Sequence, residues 1–146
     1  MPANENGLTN AYEGISFEEY ADHVLPELMM HEHPINMPDW FVAETFYYLW
    51  DDDTLVGEFR IRHYLTEALK AGAGHIGYSI HKDYRGRGYG TKGLALTLDV
   101  ARAIVQEEEI YLRVLKSNTA SYKVMLSNGA YLAGEDEDHY LMRIKK

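Results

Sequence analysis

The sequence predicts a mixed α/β protein, a mostly antiparallel sheet flanked by helices, folded as one domain over residues 15–146. Three observations carry that prediction. Apolar strand-like runs come first, then one long helical pattern, a strand, a second helix and two closing strands, an order unlike a repeated βαβ array. Residues 45–50 and 54–62 flank the turn Asp51-Asp52-Asp53, as a hairpin requires. A glycine-dense turn over residues 84–93 joins an apolar run to the long helix. At 146 residues the chain is long enough for a single substantial core.

Residues 1–14 are polar and aperiodic and read as a flexible arm. Ser16 and Glu19 have the spacing of a capping box, so a helix begins at Phe17. It is expected to bury Phe17, Tyr20 and Val24, and Pro26 to stop or kink it before a short helical turn over 27–31. Pro34 and Pro38 punctuate the loop that follows. His31 and His33 have no marked third ligand and no zinc spacing, so they read as solvated loop histidines. Trp40 and Phe41 are candidates for lining a pocket.

After the aromatic strand 45–50, the return strand places Val56, Glu58, Arg60 and Arg62 on one face. Leu55, Gly57, Phe59 and Ile61 take the other. The charged face is either a salt-bridged solvent surface or part of a substrate site. A short helix over 65–71 ends at Gly72 and Gly74, and a central strand follows over 75–81. In the long helix Leu94, Leu98, Ala101 and Val105 share one face. Strand 110–115 leads to a helix capped by Asn118 and ended by Asn128-Gly129. Residues 130–133 and 139–144 make a closing hairpin around an acidic turn.

Composition removes several functions. The chain has no cysteine, which excludes a disulfide scaffold, a thiolate metal site and a cysteine nucleophile. No apolar run approaches a membrane span and no basic-then-apolar leader opens the sequence, so a cytoplasmic protein without membrane partner is expected. The formal net charge of -9 argues against a nucleic-acid partner. It suits a cationic substrate, although acidic surfaces also serve solubility.

The glycine-dense turn places backbone N–H groups at a helix N-terminus, where dipole and missing side chains favour a phosphate. Arg85, Arg87 and Lys92 surround it. A P-loop needs Gly-Lys-Ser/Thr, and the order here is Thr91-Lys92-Gly93. Gly88, Gly90 and Gly93 match G-x-G-x-x-G, but the next strand closes on Lys116 instead of the acidic residue a dinucleotide requires. A third pattern, Arg-x-x-Gly-x-Gly, is present from Arg85 to Gly90.

That third pattern resembles the acetyl-coenzyme A pyrophosphate loop of the GNAT-type N-acetyltransferases. One helix and one strand later, Asn118-Thr-Ala-Ser121 followed by an apolar turn and Gly129-Ala130 resembles the family's later segment. Arg60-Ile-Arg-His63 and Gly74-His-Ile-Gly-Tyr-Ser79 are similar to a subgroup of predicted acetyltransferases. The resemblance covers about residues 40–146 and implies the acyl-CoA N-acyltransferase fold. The family's usual first strand and helix are not legible: either the sheet lacks that strand, leaving an edge open to pairing as a homodimer, or the N-terminal arm pairs in a way the pattern does not reveal.

The resemblance also implies roles. The sheet should splay between the central strand and strand 110–115, with the pantetheine arm bonded to backbone near Tyr78, Ile80 and Val114. Backbone N–H groups of Arg87, Gly88, Gly90 and Thr91 would hold the pyrophosphate, with Arg85 either a further phosphate contact or a loop-fixing residue. Asn118 would bond the cofactor, cap its helix, or both. Acetyl-coenzyme A is the expected co-substrate, without a metal, and a primary amine of a small molecule or peptide the expected acceptor. Glu58 is the first choice of base, with Tyr78, His63 and His81 as alternatives. Many relatives carry a tyrosine acid seven residues after the motif asparagine; here that position is Met125. Tyr122 stands in for it, or no acid is needed, since a thiol of pKa about 8.5 is a fair leaving group. A coenzyme A-sensing module without catalysis, and more distantly a dinucleotide oxidoreductase, are the rival expectations.

Overall fold

The computed structural model describes residues 4–6, 8–35, 37–38 and 40–146. Parts of the N-terminal arm (1–3 and 7) and of the loop after His31 (36 and 39) therefore lie outside the described residues. Strands β1 (Asn4–Glu5) and β2 (Leu8–Thr9) pair as a small ladder of their own. They do not join the main sheet, which begins at β3 (Glu44–Asp51) and so lacks the family's first strand among the described residues.

Helix α1 (Phe17–Glu19) carries the capping box at Ser16 and Glu19. A π-helical turn, Tyr20–Val24, runs directly into α2 (Leu25–Met30), with Pro26 in its first turn. Pro26 therefore neither stops nor ends the helix. The wide turn before it uses i→i+5 bonds, the last of them from Leu25 N–H to Tyr20 O, and this local widening accommodates a residue that has no N–H to give. The same turn changes the helix phase. Phe17, expected inside, is 86% exposed, and Leu28 is the residue this segment buries.

Strand β3 pairs antiparallel with β4 (Thr54–Arg62), and β4 with β5 (Ile76–Ile80). Helix α3 (Glu67–Ala71) links them, with Thr66 as its cap. After β5, a 3-10 turn over Lys82–Tyr84 leads to α4 (Tyr89–Ile104). Strand β6 (Glu109–Leu115) pairs with β8 (His139–Lys145), which pairs with β7 (Tyr131–Glu135). Helix α5 (Thr119–Ser127) precedes β7. The result is two three-stranded sheets, β3-β4-β5 and β6-β8-β7.

The long helix starts five residues earlier than its apolar stripe suggests. Gly90 and Gly93 belong to its first turns because the helix lies close against its neighbours. A Cβ on Gly93 would come 2.2 Å from Phe59 Cζ, and one on Gly90 would come 3.3 Å from Val124 Cγ2. The core lies between the sheets and these two helices: Phe59, Ile61 and Ile76 meet Leu94, Leu98 and Ala101, and Ile110, Leu112 and Val114 continue it. No helix among the described residues is long and apolar enough to cross a membrane.

Candidate active site

The two sheets touch at one end and part at the other. At the joined end Gly74 bridges Leu112, and His75 N–H donates to Tyr111 O at 2.7 Å. Gly74 has φ +69, and a Cβ there would lie 2.4 Å from Tyr111 O, so only glycine admits this approach. Beyond it β5 and β6 share no ladder. The expected splay between the central strand and strand 110–115 is thus present, with Tyr78 and Ile80 on one side and Val114 on the other.

The turn before α4 stands beside this split. Gly88, with φ 85, is the cap of α4 and offers no side chain to its first turn. The main-chain N–H groups of Gly88, Tyr89, Gly90 and Thr91 have no hydrogen-bond acceptor among the described residues; the first bond of the helix is Lys92 N–H to Gly88 O, 3.0 Å. Open space surrounds the Cα atoms of Gly86 and Gly88. Free amides, a helix dipole and room for a ligand make this an anion cradle. Asn128 Nδ2 fastens it to α5 by donating to Thr91 O (3.1 Å) and Val124 O (2.9 Å). That clamp was not legible: Asn128 reads in the sequence only as a helix end.

The arginines divide their roles. Arg85 donates through both terminal nitrogens to the Glu5 carboxylate, 2.6 Å each, and through Nε to Ile80 O at 2.9 Å. Its charge is already answered by the N-terminal hairpin, an 80-residue separation no local pattern announces. Arg87 stands over the Tyr84 ring at 5.2 Å, exposed to solvent. Asn118 Oδ1 accepts from Ser121 N–H at 3.1 Å, which is the helix-cap role.

Tyr78 faces the helical side of the split. Its ring stacks on Phe59, 5.5 Å between centroids, and its hydroxyl lies 2.7 Å from Ser121 Oγ at the start of α5. Burial raises its pKa, and the Ser121 bond only partly offsets this, leaving it pushed up to about 12. Tyr122 packs its ring on Tyr140 at 4.9 Å, one residue along from that contact. Met125 is 2% exposed and belongs to the core.

Glu58 is on the opposite face of the sheet, directly across from Ser79 on β5. The structure thus places Tyr78, stacked on Phe59 and bonded to Ser121 of α5, on the helical face of the sheet and Glu58 on the opposite face. Burial raises the Glu58 pKa, and the Arg60 charge lowers it, with a net rise. Arg60 and Arg62 turn to Glu44, 3.5 and 3.7 Å away, which also faces His31 at 3.3 Å. His31 is therefore enclosed, not solvated as expected from its loop position. Phe41 packs against it at 4.9 Å, whereas Trp40 is 74% exposed. Of the other base candidates, His63 Nε2 pairs with Thr45 Oγ1 (2.8 Å) and His81 Nδ1 faces Asp83 (3.8 Å).

A scan of family models matches the Acetyltransferase (GNAT) domain over residues 16–131. The chain belongs to the GNAT acetyltransferase family. Solved GNAT-like structures agree in fold. A ribosomal-protein-S5-alanine acetyltransferase from Vibrio fischeri superposes with TM-score 0.63 at 21% identity, over 88% of this chain and 71% of that one. The Campylobacter jejuni N-acetyltransferase PseH, in complex with acetyl coenzyme A, gives 0.60 at 14% identity, over 93% and 86%. Mycobacterium smegmatis RimJ, in complex with CoA-disulfide, gives 0.57 at 28% identity; the match covers 70% of this chain and only 53% of RimJ. A search of curated proteins finds no match.

Proposed function

We propose that the chain moves an acetyl group from acetyl-coenzyme A to a primary amine by direct attack in a ternary complex. The observation that carries this reading is the run of unpaired amides from Gly88 to Thr91 beside a sheet that splits between β5 and β6. The amides of Gly88, Gly90 and Thr91, with Arg87 alongside, hold the pyrophosphate. Arg85 anchors the loop, since Glu5 and Ile80 already take its donors. The thioester enters the split from the helical face and the amine reaches it from the Glu58 face.

Glu58 acts as base. It sits one strand from the split, about 5 Å in sheet spacing, so the proton travels through an ordered water. The amine nitrogen then bonds the carbonyl carbon, a β5 backbone N–H supports the oxyanion, and the carbon–sulfur bond breaks. Tyr78 hands a hydrogen bond from its hydroxyl to the departing sulfur. Full proton transfer is unnecessary, because a thiol of pKa about 8.5 holds its proton less tightly than a phenol pushed up to about 12. Tyr122, one turn before Met125, is the alternative donor. The site of action is the cytoplasm, and the open β3 edge leaves room for a second copy of the chain.

A coenzyme A-sensing module is the second reading, favoured by Met125 standing buried where relatives have an acid. Free-thiol release from acetyl-coenzyme A across a panel of amines separates the two. Thermal stabilisation by coenzyme A without turnover supports the sensor, and stabilisation by NAD instead would overturn both.

A further inference from the structure

The N-terminal ladder lies on β5, on the face from which the amine arrives. Gly77 is the cross-strand partner of Arg60 and Ser79 that of Glu58, so a side chain at 77 would project from the Glu58 face. A Cβ on Gly77 would come 3.5 Å from Arg60 Nη2 and 3.8 Å from Leu8 Cδ2. Leu8 of β2 thus takes the space that the missing side chain leaves. Its ladder partner in β1, Glu5, accepts from both terminal nitrogens of Arg85, whose Nε donates to Ile80 O at the far end of β5. Past the ladder, Tyr12 packs edge-on against Tyr20, 6.4 Å between centroids. The Tyr20 hydroxyl bonds that of Tyr48, the cross-strand partner of Glu58. These contacts tie the arm along β5 and onward to β3. Little holds it there. Arg85 and Glu5 keep 43% and 36% of their side chains exposed, and so wet an ion pair stabilises little. Leu8 is the one apolar side chain of the ladder.

We infer that β1 and β2 form a strap across the amine route, latched by Glu5 to Arg85 and released when a diphosphate enters the cradle. That the strap blocks an amine rests on the transferase reading. The latch and its release require only that the cradle bind coenzyme A, as the sensor reading also does. Arg85 precedes Gly88 by three residues, at most about 11 Å of chain. That reach is close to one Debye length, about 10 Å at 0.1 M salt, so charges at the two places act on each other. A diphosphate on the amides from Gly88 to Thr91 repels the Glu5 carboxylate and draws the Arg85 guanidinium. The strap then loses its latch, and the Gly77 stretch of β5 is uncovered. The coupling is reciprocal: a change that weakens the latch must also tighten coenzyme A binding.

The test follows the NMR cross-peak between the Leu8 methyls and the Gly77 amide in the full chain, with and without saturating coenzyme A. The cross-peak should be present without ligand and fall at least about three-fold when coenzyme A binds. Glu5→Gln should weaken it without any ligand and tighten coenzyme A about three-fold. The same variant should lower KM about three-fold, at unchanged kcat, for the amine that the thiol-release panel identifies. Leu8→Ser alters no charge, so a gain of about two-fold in coenzyme A affinity there separates a strap from simple removal of a negative charge. A cross-peak untouched by coenzyme A, an affinity that Leu8→Ser leaves unmoved, or a KM that rises in Glu5→Gln overturns the strap. Loss of the cross-peak on coenzyme A binding, with no thiol release from any amine, would instead sink the transferase reading and leave the strap standing.

Discussion

His75 Nε2 and Glu107 Oε2 lie 2.8 Å apart at the closed end of the split. His75 Nδ1 accepts from Tyr111 N–H at 2.9 Å, and Glu107 Oε1 accepts from Leu65 N–H at 2.8 Å. A ring with 0% exposure thus binds β5 to β6 and to the segment before α3. Burial lowers the His75 pKa, and the Glu107 hydrogen bond and charge offset only part of this. For Glu107, burial raises the pKa but the bonds from His75 and Leu65 outweigh it, so the net shift is downward. In both cases the unfolded chain binds protons more readily than the folded one, so unfolding takes up protons as the medium is acidified.

Stability should therefore be flat above the ordinary histidine value of 6.5 and fall as pH drops below it. A second loss from Glu107 begins below its ordinary 4.5. Urea midpoints measured from pH 8 to pH 5 check the first limb. His75→Ala should shrink that limb to the part His63 contributes, whose pKa burial also lowers, and cost about 3 kcal/mol at pH 8, because Glu107 and the Tyr111 amide lose their partner. A midpoint independent of pH in the wild type would contradict this account.

Gly88→Ala separates the cradle from the fold. Nothing lies within 4 Å of a Cβ there, so the cost to stability is the positive φ alone, about 1 kcal/mol. The added methyl faces the space a diphosphate needs, so KM for acetyl-coenzyme A should rise about ten-fold or more while the melting temperature falls only a few degrees. Gly93→Ala should behave in the opposite way, since its Cβ would meet Phe59 Cζ at 2.2 Å: a large loss of stability, with affinity for the cofactor following only as the fold fails.

Strand and helix positions were legible because their periodicities are local. The alternation from Val56 to Arg62 and the stripe from Leu94 to Val105 each need only neighbours in sequence to be read. The capping box at Ser16, the Asn118 cap and the left-handed Gly129 are likewise local signals. What escaped depends on distant pairings. Nothing near Arg85 marks Glu5 as its partner, nothing near Tyr78 marks Ser121, and nothing near His31 marks Glu44. The burial of Leu28 in place of Phe17 escaped for another reason: a π-helical turn breaks the 3.6-residue period on which the prediction rests.

Tyr78→Phe removes the hydroxyl that spans from β5 to Ser121 while keeping the Phe59 stack. The expected result is a fall in kcat of about ten-fold with KM for acetyl-coenzyme A little changed, read in a thiol-release assay. Tyr122→Phe should leave kcat unchanged, and the reverse pattern would assign the sulfur contact to Tyr122. Restoring the family's tyrosine at Met125 should not help. That side chain is 2% exposed in the core, so Met125→Tyr overpacks it at a cost of about 1–3 kcal/mol.

Glu58→Gln tests the base. Burial raises the Glu58 pKa, with Arg60 pulling the other way, so the acid limb of kcat/KM should lie above the ordinary 4.5 of a glutamate. Activity should rise with pH through that limb, because only the carboxylate removes a proton. Glu58→Gln should lower kcat/KM about a hundred-fold and flatten the limb. Arg60→Gln should move the limb upward, since the one opposing charge is gone, at the further cost of loosening Glu44. A limb that stays in place in both variants would transfer the proton to another group and leave Glu58 a purely structural carboxylate.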